Sequence, residues 1–218
     1  MIFANRQHAG EVLARRLLKS KFDPEKSVVV AIPRGGIVVG QEIASLLKLS
    51  LFPLVIKKLG APNNSELAIG ATASFGKPVL DRWLIAELRV SGDYIKKEIL
   101  KKKREARARG KFLGVKLEPE VFASKTVIVV DDGLATGQTA KMAAKILKQF
   151  GARRLILAVC CAPTSVAGEM KKDYDEVVCP ATREDFMAVG QFYQDFRPVE
   201  DSEVKAILNQ KSKIKNQN

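Results

Sequence analysis

The chain has 218 residues, of which 46% are hydrophobic, and a formal net charge of +13. This length and apolar content predict one domain with a single core, which we place at residues 1–208. No apolar run approaches the ~20 residues that cross a bilayer, and the first 18 residues lack a signal peptide's apolar core. We therefore expect a cytoplasmic protein with no membrane partner.

Helical and strand patterns alternate along the chain. Strands are predicted at residues 27–33, near 51–58 and 67–73, and at 78–81, 126–131, 153–162 and 175–179. Helices are predicted near the N-terminus and at residues 36–48, about 93–112, 136–150 and 164–172. This alternation predicts an α/β fold, with a mostly parallel twisted sheet flanked by helices and a long basic helix inserted between strands.

The first loop of interest lies in VVVAIPRGGIVVGQEIASLL, which has the pattern of a strand, a turn and a helix. Arg34 would lie at the carboxyl end of the strand, where a cation suits an anionic ligand, and Gly35 and Gly36 would expose their amides. Alternatively, Pro33 and the two glycines are ordinary turn residues.

A second segment, LVIKKLGAPNNSELAIGA, joins a strand to a loop. Adjacent side chains on a strand point to opposite faces, so we expect only one of Lys57 and Lys58 to reach a site at this edge. Both lysines are also compatible with a solvated strand end. Glu66, in the loop, is by residue type alone more often a surface carboxylate than a catalytic group.

The positive charge is concentrated in residues 96–111, which hold nine basic and two acidic residues and so a net charge of +7. A solvated helix or an oligomer contact explains this run, and binding of nucleic acid is the alternative. The run has no interleaved aromatic residue and matches no DNA-reading motif, so nucleic-acid binding is the less favoured interpretation. The polar basic segment 209–218 is expected to be disordered.

The most informative segment is DDGLATGQT, Asp131 to Thr139, which directly follows an apolar strand. Glycines let the backbone approach a ligand, and Thr136 and Thr139 offer hydroxyls near the amides of a new helix, so the loop suits a phosphate. Asp131 and Asp132 suit the vicinal hydroxyls of a ribose or a hydrated Mg²⁺. The alternative is an acidic turn with a helix cap.

VIVVDDGLATGQTA resembles the binding signature of type I phosphoribosyltransferases. The resemblance implies that Asp131 and Asp132 bind the ribose of phosphoribosyl pyrophosphate and hold Mg²⁺ through water or substrate. It implies that the 5′-phosphate is bound by a loop of Ala135, Thr136, Gly137, Gln138 and Thr139. It also implies a pyrophosphate site formed by Arg34, Gly35, Gly36 and one lysine, either Lys57 or Lys58. The fold it implies includes a small hood from terminal segments, about residues 180–200, in which Phe192 and Tyr193 are candidates to stack on a base.

Ala135 departs from the family members that salvage hypoxanthine and guanine, which have an aspartate there. The amino-acid sequences of both loops are closer to those of adenine-salvaging members. In those members the mobile loop supplies a glutamate, and Glu66 would be its counterpart here. The prediction is a Mg²⁺-dependent transferase of nucleotide salvage that joins a nitrogenous base to the phosphoribosyl group, with homo-oligomer formation left open. The alternatives are a nucleotide-sensing regulator that binds nucleic acid through the basic helix, and another phosphoribosyl-transferring or nucleotide-degrading enzyme.

Overall fold

The computed structural model describes residues 1–114 and 119–214. Its helices are α1 (Arg6–Leu17), α2 (Gly35–Leu46), α3 (Arg82–Glu87), α4 (Gly92–Phe112), α5 (Gln138–Gln149), α6 (Thr164–Met170) and α7 (Asp201–Ile214). Its strands are β1 (Ser27–Ala31), β2 (Ser50–Pro53), β3 (Ile56–Ala61), β4 (Asn64–Ala73), β5 (Val79–Leu80), β6 (Thr126–Asp131), β7 (Arg154–Val159), β8 (Cys161–Pro163), β9 (Glu176–Val178) and β10 (Ala181–Arg183).

The main sheet has five parallel strands in the order β2-β1-β6-β7-β9. Its strands are apolar on both faces because helices cover both: Val29 of β1 and Ile128 of β6 belong to a core with α1 and α2, while Val30 and Val129 belong to a second core with α5. The predicted α/β fold with a parallel sheet is confirmed. Strands β1 and β6 are adjacent, so the loops that follow them lie side by side.

The strand predicted near residues 51–58 is in fact two strands in different sheets. β2 ends at Pro53, and the next residue, Leu54, donates its amide to the carbonyl of Ala31 before the chain leaves the main sheet. β3 then forms a small antiparallel sheet with β4 and β5, and the short helix α3, which the sequence pattern did not predict, packs nearby. A proline at the strand end explains the break.

The basic helix α4 covers this small sheet. Ile95 and Ile99 pack against the buried residues Leu59 and Ile69, and the Tyr94 hydroxyl donates to the carbonyl of Gly60 at 3.0 Å. The short apolar face of the helix is therefore a core contact, and the rest of its surface is largely polar.

The C-terminal part differs from the prediction in two places. The strand expected at 153–162 is interrupted at Cys160, because β8 leaves the main sheet and pairs with β10. The helix α7 continues to Ile214, so residues 209–214 of the segment expected to be disordered are helical; Val204 and Leu208 are buried in the core and anchor the helix. Residues 215–218 lie outside the described part of the chain.

The N-terminal residues and the segment after β10 pack together. Phe3 donates its amide to the carbonyl of Phe192 and accepts from the amide of Gln194, and it contacts the ring of Tyr193.

Cys160 and Cys161 are buried free thiols, and burial raises the pKa of each. Within residues 1–114 and 119–214, no helix is long and apolar enough to span a membrane.

Candidate active site

Two loops meet at the carboxyl edge of the main sheet. Ala31 of β1 is in register with Val130 of β6, and the amide of Ile32 donates to the Val130 carbonyl at 2.9 Å. The residues after β1 are therefore held against the acid pair at the end of β6. The peptide bond between Pro33 and Arg34 is cis.

Gly35 and Gly36 make this contact possible. A Cβ on Gly35 would lie 1.8 Å from Oδ2 of Asp132, and a Cβ on Gly36 would lie 2.7 Å from the carbonyl oxygen of Val130. No side chain fits in either place without displacing a neighbour. The two glycines are therefore required by the close approach of the two loops, not only by the turn.

A cavity of about 400 Å³ opens between these loops. Its lining comes from the ends of β1, β2 and β6, from the start of β3 and from helices α2, α4 and α5: Ile32, Pro33, Arg34, Gly35, Leu54, Val55, Ile56, Lys57, Arg109, Asp131, Asp132 and Thr139. The lining therefore combines three cations with two carboxyl groups. A larger cavity of about 540 Å³ shares Leu54 and Val55 with it, but among the described residues no acidic side chain lines that larger space.

The two acids are not equivalent. Burial raises the pKa of Asp131 well above its usual range, and the charge of Asp132 adds to this effect. Oδ1 of Asp131 accepts a hydrogen bond from the amide of Asp132 at 2.9 Å. Oδ2 of Asp132 accepts from Nε of Arg6 at 2.7 Å, so one oxygen of this carboxylate is already engaged.

Arg6 is a site residue that the sequence prediction missed. Its Nη1 donates to the carbonyl of Arg197 at 2.8 Å, and its guanidinium lies 3.9 Å from the centre of the Phe196 ring. Arg6 thus joins the first turn of α1 and the C-terminal segment to Asp132. A signal exists in the sequence: Arg6 precedes Ala9 and Leu13 at helical spacing, which places one charge on the buried face of α1.

The loop after the acid pair leads directly into α5. Gly137 has a φ of +69° and is buried, with room for no Cβ because Met170 and Val166 are close; α5 starts at the next residue. Ala135, Thr136 and Gln138 are exposed, and Thr139 is half-buried and lines the cavity. The amides at the start of α5 are thus close to a cavity that a phosphate can enter.

Among the predicted basic and acidic residues, the structure distinguishes Lys57 from Lys58. Lys57 lines the cavity, whereas Lys58 is exposed and is not part of the lining. Glu66 is also exposed and outside the lining, and it lies in strand β4 and not in a loop as predicted; its amide donates to Oδ1 of Asn64.

Phe192 and Tyr193, which the sequence predicts to stack on a base, are both buried. Phe192 is 2% exposed and packs on Phe186, while the ring of Tyr193 lies between Phe3 and Phe196. The Tyr193 hydroxyl donates to the Asp132 carbonyl at 2.6 Å. Tyr193 is therefore hydrogen-bonded to the backbone of the acid pair, and Phe192 is part of the apolar core.

No three His, Cys, Asp or Glu side chains of residues 1–114 and 119–214 are arranged so that they could hold a metal ion by themselves. The acid pair nevertheless fits Mg²⁺ in its usual mode, in which one or two carboxylates share the ion with water and with substrate phosphates. Asp131 and the second oxygen of Asp132 are the groups that would hold it.

A model of the phosphoribosyl transferase domain matches residues 4–197. The chain belongs to this family. Two Mycobacterium tuberculosis relatives, named Rv0571c and MT0597, are each 35% identical over 214 residues, and their names describe them, provisionally, as phosphoribosyl transferases. The alignment covers 95% of this chain and 46% of each relative, so the chain spans about half their length.

The crystal structure of TT1426 from Thermus thermophilus is similar to this phosphoribosyl transferase domain along nearly its whole length. The two chains are 34% identical with a TM-score of 0.84, over 96% of this chain and 99% of TT1426. The resemblance inferred from VIVVDDGLATGQTA is therefore confirmed at the level of family and fold.

Proposed function

We propose that this phosphoribosyl transferase domain moves the 5-phosphoribosyl group of phosphoribosyl pyrophosphate to a nitrogenous base and releases pyrophosphate. The observation that carries the proposal is the cavity in which the cations Arg34 and Lys57 face the same space as Asp131, Asp132 and Thr139. One sugar bearing a phosphate at one end and a diphosphate at the other matches this distribution of groups.

The phosphate end would bind at the start of α5. Amides and hydroxyls of residues 135–139 would contact the 5′-phosphate, and the dipole of α5 favours the negative charge. Asp131 and the second oxygen of Asp132 would accept hydrogen bonds from the ribose hydroxyls. Arg6 supports this role because its hydrogen bond to Oδ2 holds Asp132 in one orientation.

The diphosphate end would bind at the loop after β1. Arg34, Lys57 and the amides of Gly35 and Gly36 would contact its oxygens. In the reaction the bond from C1 to the diphosphate oxygen breaks and its electron pair leaves with pyrophosphate. A nitrogen of the base forms the new bond to C1 and gives up its proton to the pyrophosphate or to water. The cations stabilise the charge that develops on the leaving group. Mg²⁺, brought with the substrate, would supply further positive charge to the diphosphate.

A role in nucleotide salvage follows from this proposal, and the amino-acid sequences of the two loops favour adenine as the base. Ala135 supplies no carboxylate for a purine. Glu66 lies in β4, exposed and outside the lining of the cavity. The assay that tests the proposal therefore compares several bases.

The regulator alternative finds no support in the contacts of α4. Lys102 pairs with Glu98 and Glu105, Lys103 donates to the carbonyl of Gly76, and Arg107 donates to the carbonyl of Ser74. These three cations contact other groups of the same chain, as expected of a helix that packs on its own domain.

The test is release of pyrophosphate from phosphoribosyl pyrophosphate and Mg²⁺ in the presence of a panel of nitrogenous bases. We expect one base to stimulate release, and the double variant D131N/D132N to reduce binding of phosphoribosyl pyrophosphate at least about tenfold, because charge-assisted hydrogen bonds are lost. A wild-type protein that binds phosphoribosyl pyrophosphate no better than the double variant does would refute the proposal.

A further inference from the structure

The cavity contains a cation that none of the predicted ligand loops supplies. Arg109, in the last turn of α4, lines the cavity together with Arg34 and Lys57. The sequence prediction grouped it with the solvated charges of the basic helix. The structure instead places one residue of that helix at the diphosphate end of the candidate active site.

Arg109 is held by an acid from the other end of the chain. Its Nη1 and Nη2 each donate to one carboxylate oxygen of Asp201, the first residue of α7. Nη1 of Arg34 is 3.9 Å from Oδ1 of the same carboxylate. The hydrogen bonds from Arg109 lower the pKa of Asp201, which keeps this carboxylate charged. Asp201 is thus an internal anion between two arginines that border the cavity.

In this arrangement a bound diphosphate can replace Asp201 as the partner of Arg109. A diphosphate carries more negative charge and more acceptor oxygens than one carboxylate, and the fork of an arginine binds phosphate oxygens as well as it binds carboxylate oxygens. The side chains of Arg34, Arg109 and Asp201 are 48%, 24% and 37% exposed, so solvent weakens their pairing. In addition, Asp201 would repel a diphosphate bound beside Arg34.

The ion pair is not needed to dock α7. Val199, Val204 and Leu208 are buried in the core that α1 and α2 also join, and these contacts anchor α7. A purely structural tether would therefore duplicate apolar packing that is already present. The position of Arg109 in the cavity wall is the feature that a tether leaves unexplained.

We propose that Arg109 is a further substrate-binding residue, which contacts the diphosphate of phosphoribosyl pyrophosphate in exchange for Asp201. This inference rests on the proposed function. It assigns the C-terminal end of the basic helix to substrate binding and makes Asp201 a competitor of the diphosphate for Arg109 and Arg34.

The test compares R109Q and D201N by calorimetric titration with pyrophosphate and Mg²⁺ at fixed ionic strength. Both variants break the same ion pair, but we expect opposite results: R109Q weakens binding at least about tenfold, because a bidentate cation is lost, whereas D201N tightens it by about two- to fivefold. R104Q is the matched control, since it removes one charge from an exposed position of the same helix and should change the affinity less than about twofold.

Thermal melting of each variant separates binding from folding. If R109Q is unfolded, R109K takes its place and should weaken binding by a few fold, since lysine lacks the bidentate fork. Unchanged binding by a folded R109Q, or equal weakening by R109Q and D201N, overturns the role of Arg109 while leaving the proposed function standing. A wild-type protein that binds neither pyrophosphate nor phosphoribosyl pyrophosphate overturns both.

Discussion

Replacing Gly35 with alanine tests the close approach of the two site loops. The added Cβ would lie 1.8 Å from Oδ2 of Asp132 and 2.9 Å from Nε of Arg6, so the carboxylate must move and its hydrogen bond to Arg6 must break. Gly35 does not have a positive φ, so alanine suffers no backbone strain there and only the lack of space matters.

The expected cost follows from the bond that is lost. Hydrogen bonds between charged groups contribute about 1.5–3 kcal/mol, and the better helix propensity of alanine offsets about 0.5–1 kcal/mol of this. The net loss is about 1–2 kcal/mol in the free energy of unfolding, which corresponds to a fall in Tm of roughly 2–8 °C for a domain of this size. We also expect weaker binding of phosphoribosyl pyrophosphate, because Asp132 is displaced.

The assay is thermal unfolding followed by circular dichroism, with G168A as the matched control. Gly168 lies in α6, and a Cβ there meets no atom within 4 Å, so alanine should leave Tm unchanged or raise it. If G35A melts at or above the wild-type temperature, or if G168A loses as much stability, the inferred contact between Gly35 and Asp132 is wrong.

Three further predictions concern the same cavity. Because burial raises the pKa of Asp131, the unfolded chain loses this proton at a lower pH than the folded chain does, and stability falls as pH rises from about 3.8 to the folded pKa. D131N should therefore have a higher Tm than wild type at pH 7. Melting curves from pH 4 to 8 should show this difference in Tm shrinking toward low pH. K57Q should weaken pyrophosphate binding about tenfold in calorimetry and K58Q less than twofold, since Lys57 lines the cavity and Lys58 does not, and equal effects would contradict this assignment. R6M should lower the free energy of unfolding by about 3 kcal/mol in urea, because it leaves the largely buried Asp132 unpaired, and a loss below ~1 kcal/mol would show that the pair is unimportant.

The amino-acid sequence by itself determined the local parts of the site. The order of apolar strand, acid pair, glycines and hydroxyls from Val127 to Thr139 predicts a strand, a ligand loop and a helix, because strand and helix periods and the needs of a tight turn are properties of neighbouring residues. The same holds for the strand and helix that flank Arg34. The resemblance to the family rested on these two blocks and on LVIKKLGAPNNSELAIGA, and the parallel sheet was predicted from the alternation of strands and helices along the chain.

Only the tertiary structure decided which distant residues complete the cavity. Arg6 pairs with Asp132 across 126 positions of the chain, and Arg109 pairs with Asp201 across 92. Tyr193 is buried behind Asp132 although its aromatic ring suited a base-stacking role. These outcomes depend on how helices and terminal segments pack over the sheet. The free energy of a buried charge or ring depends on the burial and the partners that this packing creates. The spacing of neighbouring residues in the sequence does not contain that information.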